Sequence, residues 1–388
     1  MKRVRDPIHD YIQLDAAALA IVDRPEFQRL RRIRQLGTAA LVYPGANHAR
    51  FEHSLGAQHV ARLACEAIGL KADDALEVRL AALLHDVGHG PFSHLTDNVM
   101  RDLGGFSHAE VSAERARTTF SDALAAHGAD PKRVAELVRG RGALGELVAS
   151  DLDVDRMDYI VRDAHYTGVD VGVDLGRLVH EMRLTPKGVA LSLGALQAAE
   201  MLLVTRYMMY TTVYLHPTCR VGEVMMERAI RAAARAGEFE VRALTVMDDV
   251  DLVAKLRQSR TSARVLFDML ERRELLKAAL ALRHDEVETA AFHAARTRKG
   301  ADALEAQIAE ATGIDPEHVV VDAPALPVGG DLAVPFVGED GAVVPVTELS
   351  QLVSTLAEAQ LDHWRLRVFA PRDRREEVAR VAGRLLRR

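Results

Sequence analysis

With 388 residues, 48% of them hydrophobic, the chain has the apolar content of an ordinary soluble globular protein and length enough for one large core or two domains. A formal charge of -6 and a pI near 6.3 argue against a general nucleic-acid binder or a membrane-surface protein, so any anionic ligand has to meet locally clustered arginines. Cys65 and Cys219 are the only cysteines, which excludes a disulfide framework; with no charged-then-apolar leader and no uncharged run of the ~18 residues a membrane span needs, a soluble cytoplasmic protein is expected.

In chain order, residues 1–14 read as an extended arm or hairpin. Two helices are expected next, from Leu14 to Val22 and from Pro25 to Gln35, with Pro25 near the start of the second. A turn-rich loop over 37–47 precedes helical periodicity from Phe51 to Ile68 and from Ala72 to Val87. Helices dominate to about residue 300. The interruption is 182–193, two alternating runs around Pro186 and Gly188 that read as a β-hairpin. From Leu196 to Tyr214 runs a long apolar helix on which Arg206, Tyr210 and Tyr214 recur at four-residue spacing. After Gly313 the texture changes to strands over 318–321, 332–337, 343–346 and 364–369, with helices over 349–360 and 375–386. This predicts a mostly α chain with a helical domain over 1–300 and a small α+β C-terminal appendage over 301–388.

The chemistry concentrates in Ala81-Ala-Leu-Leu-His85-Asp86-Val-Gly-His89-Gly-Pro-Phe-Ser-His94. Imidazole nitrogen and carboxylate oxygen suit a borderline or hard divalent cation, and an apolar run leading into His85 and Asp86 puts them at the bottom of a pocket. Gly88, Gly90 and Pro91 stop the helix. His89 and His94 follow as proton donors. A lone His-Asp pair is more often a satisfied surface pair, but His53 in Arg50-Phe-Glu-His53 and Asp155 in Asp151-Leu-Asp-Val-Asp155 supply two further donors. Together they make a four-ligand set.

The ordered set Asp6-Pro-Ile-His9, Phe27-Gln-Arg-Leu-Arg31, Gln35-Leu-Gly37, Tyr43-Pro-Gly-Ala46, Arg50-Phe-Glu-His53, the His85 to His94 segment and Asp153-Val-Asp-Arg-Met-Asp-Tyr159 resembles the HD superfamily, and within it the deoxynucleoside triphosphate triphosphohydrolase (dGTPase) branch. That resemblance implies an HD helical core and metal-dependent hydrolysis of deoxynucleoside triphosphates, dGTP among them, to deoxynucleoside and triphosphate. It makes His53, His85, Asp86 and Asp155 ligands of a divalent ion (Fe, Mn, Mg, Zn or Ni), and places His89, His94, Asp97 and His108 around the reacting phosphate, with His94 as general acid. Arg50, Arg156 and Arg206 match phosphate-contacting positions, with Tyr159 and His165 adding contacts near the phosphates, and Tyr210 counts among the substrate-binding residues. Gln35 and Asp163 match residues on the sugar 3′-hydroxyl, and Leu36 and Tyr214 those against the 2′ carbon. Asp23, Gln28 and Arg31 match a site for an activating guanine nucleotide, and a homodimer or homotetramer is implied. The chain departs from the pattern at Ala109, where the family often has Glu; Glu110 is one step along the helix. Two alternatives stay open: an HD-type nucleotidase or phosphodiesterase acting on another phosphate ester and, motivated by Ala109, a nucleotide sensor without turnover.

Overall fold

The computed structural model describes residues 2–186, 188–325 and 334–388. The strands are β1 (Lys2–Asp6), β2 (Asp10–Leu14), β3 (Met182–Thr185), β4 (Gly188–Ser192), β5 (Lys277–Leu282), β6 (Val320–Asp322), β7 (Pro335–Val337), β8 (Val343–Pro345) and β9 (Leu366–Ala370). Helices are α1 (Ala16–Val22), α2 (Pro25–Gln28), α3 (Arg50–Ile68), α4 (Ala72–Leu84), α5 (His94–Val99), α6 (His108–Arg117), α7 (Ser121–Ala126), α8 (Pro131–Val138), α9 (Val154–Thr167), α10 (Leu175–His180), α11 (Leu196–Met209), α12 (Pro217–Arg235), α13 (Asp249–Gln258), α14 (Ser262–Glu271), α15 (Thr289–Ala295), α16 (Arg298–Thr312), α17 (Val346–Leu349), α18 (Gln351–His363) and α19 (Arg375–Leu386). The fold is mostly α, and the chain passes back and forth between two compact units: 1–209, 240–253 and 329–354 in the first, and 210–239, 254–328 and 355–388 in the second.

In the first unit, the expected arm is the hairpin β1–β2, with Lys2 opposite Leu14. Leu14 therefore belongs to a strand, and α1 starts at Ala16 because the Asp15 side chain caps it, accepting from the Ala18 N–H at 2.9 Å. The expected helix over 25–35 is shorter: α2 yields to a 3₁₀ turn over Arg29–Arg32 and Ile33 is extended. Helix α3 packs on α4 and α9, and the last turn and a half of α4, from Leu80 to Leu84, is apolar and buried on every side. Leu80, Leu83 and Leu84 are at most 1% exposed, a burial that stabilises by about 1.5–3 kcal/mol per side chain. The hairpin β3–β4 forms as expected, its turn residue Lys187 lying outside the described residues. It is extended by β7 and β8 into the order β3-β4-β7-β8, with β4 and β7 parallel. The predicted strand over 332–337 survives as β7; Leu332 and Ala333 lie outside the described residues.

In the second unit, β9 lies between β5 and β6, antiparallel to both. Trp364, Leu366, Val368, Ile308 and Val378 form its core, and the Trp364 indole N–H donates to the Pro324 carbonyl at 2.8 Å. Strand β5, Lys277-Ala-Ala-Leu-Ala-Leu282, was not anticipated within a stretch read as helical.

Candidate active site

Arg50 and His53 stand three residues apart at the start of α3 and so share a face. One turn on, a Cβ at Gly56 would lie 1.9 Å from Asp158 Oδ1, so only glycine lets α3 and α9 approach closely enough to bring His53 to Asp155 and Asp158. Helix α4 ends at Leu84 rather than at Val87 as periodicity suggested, and His85 and Asp86 follow in the closing turn. The chain must break there because Gly88 lies against α6. Its N–H donates to Ser112 Oγ at 2.8 Å, and a Cβ would meet the His108 carbonyl at 2.2 Å.

Three of the four expected ligands, His53, His85 and Asp86, bring donor atoms within 4.8 Å of one another, and Asp155 lies against the two histidines. His53 Nε2 is 3.3 Å from His85 Nε2, 2.9 Å from Asp155 Oδ1 and 3.5 Å from Asp86 Oδ2. His85 Nε2 lies 3.4 Å from Asp86 Oδ1 and 3.5 Å from Asp155 Oδ1. Donors held ~2.1 Å from a common centre are separated by roughly 3.0 Å at right angles and 3.4 Å at tetrahedral angles, so these spacings fit one divalent ion. The imidazoles are oriented for it. His85 Nδ1–H donates to the Ala82 carbonyl at 2.7 Å, which leaves Nε2 with its lone pair, and His53 Nδ1–H donates to Asp158 Oδ2 at 2.8 Å with the same result. Two lone pairs facing each other at 3.3 Å repel unless a cation lies between them.

Charge agrees with geometry. Asp86 pairs with Arg50, and Asp6 and Asp158 with Arg162, whereas Asp155 lies against His53 and His85, so negative charge gathers where the two imidazoles meet and favours a cation there. Without an ion these carboxylates draw a proton instead: burial would keep His53 neutral, yet hydrogen bonds with Asp155 and Asp158 push its pKa up to about 10, so a cation would bind there in exchange for that proton. His85 is raised against burial by Asp86 and Asp155. Burial opposes ionisation of Asp86, but Arg50 and His85 hold its carboxyl well below the usual range. Asp155 is lowered likewise by His85 and His53.

Arg50, 3% exposed, binds Asp86 through Nη1 and Ser93 Oγ through Nε at 2.8 Å, and its Nη2 lies 3.3 Å from His94 Nε2. His94 is open to solvent but walled by protein; that crowding and the Arg50 charge push its imidazole down to about 4. Asp97 is on the restarted helix α5, accepts the His108 backbone N–H at 2.6 Å and lies 3.0 Å from His108 Nδ1. Burial would raise its carboxyl, but His108 holds it far down. His89 is fully buried, with Nε2 3.2 Å from Asp86 Oδ1 and its ring stacked on His108 at 3.8 Å. Asp86, His89 and His108 also bring donor atoms within 4.8 Å of one another, but rings stacked at 14° aim their in-plane lone pairs side by side rather than at a common point. A second ion is poorly served there. Glu110 does not reach toward the position Ala109 leaves: its carboxylate accepts the Ser107 N–H at 2.7 Å and the Ser107 hydroxyl at 3.0 Å, a capping box.

Asp155, 32% exposed, opens on a cleft of about 620 Å³ lined by Glu146, Asp151, Asp153, Arg156 and Val189 among others, a size suited to a small molecule. Arg156 Nη1 donates to Asp151 at 3.2 Å on its wall. Gln35 is buried, with no hydrogen bond to Oε1 among the described residues, and its N–H donates to the His48 carbonyl at 3.0 Å; His48 Nε2 is 2.8 Å from Asp163 Oδ1. Leu36, next to Gln35, is half-buried. The Tyr159 ring stands edge-on to His53 at 6.4 Å, and Arg206 is buried on α11, which packs on α9. Tyr210 and Tyr214 fall in the second unit, on a π-helical turn, with ring centroids 5.2 Å apart. Asp23 is exposed at the end of α1. Gln28 Nε2 donates to the Val22 carbonyl at 2.7 Å, and Arg31 Nε to Gln28 Oε1 at 2.8 Å while its guanidinium lies over the Phe51 ring.

A family model described as HD domain matches residues 50–163, the span that contributes His53, His85, Asp86 and Asp155, and one described as HD associated region matches 173–387. The chain belongs to the HD-domain phosphohydrolase family. It is 33% identical over 386 residues to an uncharacterized protein of Methanocaldococcus jannaschii, covering 97% of this chain and 81% of that one. A deoxynucleoside triphosphate triphosphohydrolase SAMHD1 homolog of Dictyostelium discoideum is 31% identical over 258 residues, 60% of this chain; the match spans about half of that relative, 49%. A crystal structure of a phosphohydrolase from Bacteroides thetaiotaomicron shares the fold, with a TM-score of 0.76 at 24% identity over 96% of this chain and 100% of that one.

The HD centre also rests on Asp6, His9 and Asp158, which the motifs contain without an assigned role, and on Arg162, which lies outside them. Asp158 accepts from His53 at 2.8 Å and from Arg162 Nε and Nη2 at 2.8 and 2.9 Å, and its Oδ1 is 2.6 Å from His9 Nε2. Arg162 donates in turn to Asp6 at 2.9 and 3.3 Å. The signal was available in part: Asp155, Asp158 and Arg162 are spaced three and four apart, which puts them on neighbouring faces of one helix.

Proposed function

We propose that this HD protein hydrolyses deoxynucleoside triphosphates to the deoxynucleoside and inorganic triphosphate. The observation that carries the reading is the convergence of two lone-pair imidazole nitrogens and two carboxylates beside Arg50, itself bound to one of those carboxylates. His53, His85, Asp86 and Asp155 would hold a divalent ion, which when bound supplies Lewis acidity toward phosphate oxygens and a more acidic water at neutral pH.

In this reading Arg50, Arg156 and Arg206 bind the phosphates, with Tyr159 and His165 beside them. Gln35 and Asp163 hold the 3′-hydroxyl, and Leu36 packs on the 2′ carbon and discriminates against ribose. His94 is neutral in the free protein. Phosphate oxygens that draw off the Arg50 charge raise its proton affinity, so His94 takes up a proton with the substrate and delivers it from Nε2 to the leaving 5′-oxygen. Asp97 orients His108, which stacks on His89 and crowds water away from that side. The name of the Dictyostelium relative supports the substrate class. The same reading carries a guanine-nucleotide site at Asp23, Gln28 and Arg31, assembly as a homodimer or homotetramer, a cytoplasmic location, and a catalytic domain over 1–300 with an appendage over 301–388.

The test is incubation with each of the four deoxynucleoside triphosphates and Mg²⁺, Mn²⁺ or Fe²⁺ in water enriched in heavy oxygen. Triphosphate carrying the label and an unlabelled nucleoside are expected; orthophosphate or pyrophosphate as first product rejects the reading. Ala109, with Glu110 tied to Ser107, favours a second reading, a nucleotide sensor. Tight binding with ligand unchanged after long incubation would select it.

A further inference from the structure

The loop that joins the metal ligands to His94 contains two residues in a backbone region that L side chains rarely adopt: Phe92 at φ 55° and Ser93 at φ 57°, neither a glycine. Left to itself such a turn relaxes, and relaxation would swing His94, the next residue. It would also move Ser93 Oγ, which accepts from Arg50 Nε at 2.8 Å and donates to the Arg34 carbonyl at 2.5 Å. What opposes relaxation comes from far along the chain. Asp249, first residue of α13, accepts the Phe92 N–H on Oδ1 at 2.7 Å and the Arg34 N–H on Oδ2 at 3.1 Å. One carboxylate thus ties both strands of chain that meet at Ser93. Asp248 makes the helix cap, accepting from Val250 and Asp251 N–H at 2.9 and 3.1 Å, so Asp249 is not needed for that purpose. The same segment is gripped from the other side: Arg29 donates to the carbonyls of Val87, His89 and Met247, and Arg115 to those of Val87 and Thr245.

We propose that Asp249 is a positioning residue, whose carboxylate holds the Phe92–Ser93 turn in its strained form and thereby sets His94 and Arg50 against the substrate. The kinetic part of this proposal rests on the triphosphohydrolase reading above. Asparagine is the informative change, since it offers one acceptor oxygen where two N–H groups point at the side chain.

The experiment is a crystal structure of Asp249→Asn together with its kcat and KM for the best deoxynucleoside triphosphate, its metal content and its unfolding midpoint. Asp251→Ala serves as control, because it removes an acceptor for the Asp248 N–H without touching the turn. Expected are Phe92 or Ser93 relaxed out of positive φ, kcat down at least tenfold, KM within about threefold, full metal content, and a midpoint no lower than that of Asp251→Ala. Asp249→Glu, which keeps both acceptor oxygens, should recover much of kcat. A turn that keeps its φ values in Asp249→Asn overturns the proposal, as does an unchanged kcat. If the unaltered protein turns over no deoxynucleoside triphosphate, the substrate reading fails while the crystal structure still decides the role of Asp249. Should Asp249→Asn not fold, Asp249→Ser takes its place in the same measurements.

Discussion

Replacing Asp158 by asparagine separates the ligand sphere from what supports it. The aspartate carboxylate faces four donors, Nδ1 of His53, Nε2 of His9, and Nε and Nη2 of Arg162, and is fully buried. Asparagine matches the shape but turns one acceptor into an NH₂, so two of those donors lose their partner. Breaking a buried ion pair from one side costs about 3–5 kcal/mol; because Arg162 keeps Asp6, the low end, about 3 kcal/mol, is expected. With the NH₂ in the Oδ2 position His53 also loses the partner that fixes its tautomer, and such outer hydrogen bonds are worth about 10–100-fold in metal affinity. Chemical denaturation and competition with a chromophoric chelator read the two quantities independently. The pH dependence follows from the same charges: against burial, Arg162 and the histidines hold the Asp158 carboxyl well below its ordinary value. Its contribution is therefore present above the unfolded pKa of about 4 and lost as pH falls toward the depressed folded one, and Asp158→Asn should flatten the acid limb of the stability profile. A folded variant with metal affinity within twofold of the unaltered protein, and under ~1 kcal/mol less stable, would refute this reasoning.

Asp86→Ala should lose metal and activity together, with affinity down by at least about 100-fold; full metal content in a folded variant removes Asp86 from the ligand set. Arg50→Gln should raise the His94 pKa from about 4 by about one unit or more, followed through the imidazole signals in an NMR titration, and an unmoved titration would assign the depression to burial alone. Saturating metal at about 100 times its dissociation constant should stabilise the fold by about 2.7 kcal/mol, and chelation should remove that increment; a denaturation curve indifferent to chelator speaks against a resident ion. Light scattering with and without guanine nucleotides should give a dimeric or tetrameric mass, and a monomer in both rejects the assembly.

The clustering of His53, His85 and Asp86 was legible because the motifs that carry them occur together and in order; the His85-Asp86 pair alone, more often satisfied at a surface, would not have marked it. Asp249 was not, since its partners are Phe92 and Arg34 and no local pattern marks an aspartate that bonds across so much sequence. Strand β5 escaped notice for a different reason. Its alanines and leucines are strong helix formers, and pairing with β9 overrides that preference through burial of Leu280 and Leu282. The shortened α2 shows the reverse limit: Phe27, Leu30 and Ile33 are buried at the three-residue spacing of a helical face, a spacing that does not tell a 3₁₀ turn from a continuing helix.

The parallel pairing of Leu191 and Ser192 in β4 with Phe336 and Val337 in β7 bears on how the protein is made. On the ribosome, β4 emerges long before its partner, and the stretch synthesised in between belongs largely to the other unit. Until residue 337 is free of the exit tunnel, the far edge of β4 offers unpaired N–H and carbonyl groups, a template for association with another nascent chain. A chain released early, by truncation or a premature stop before β7, would carry every metal ligand and still leave that edge open, so aggregation rather than loss of chemistry should be its first failure.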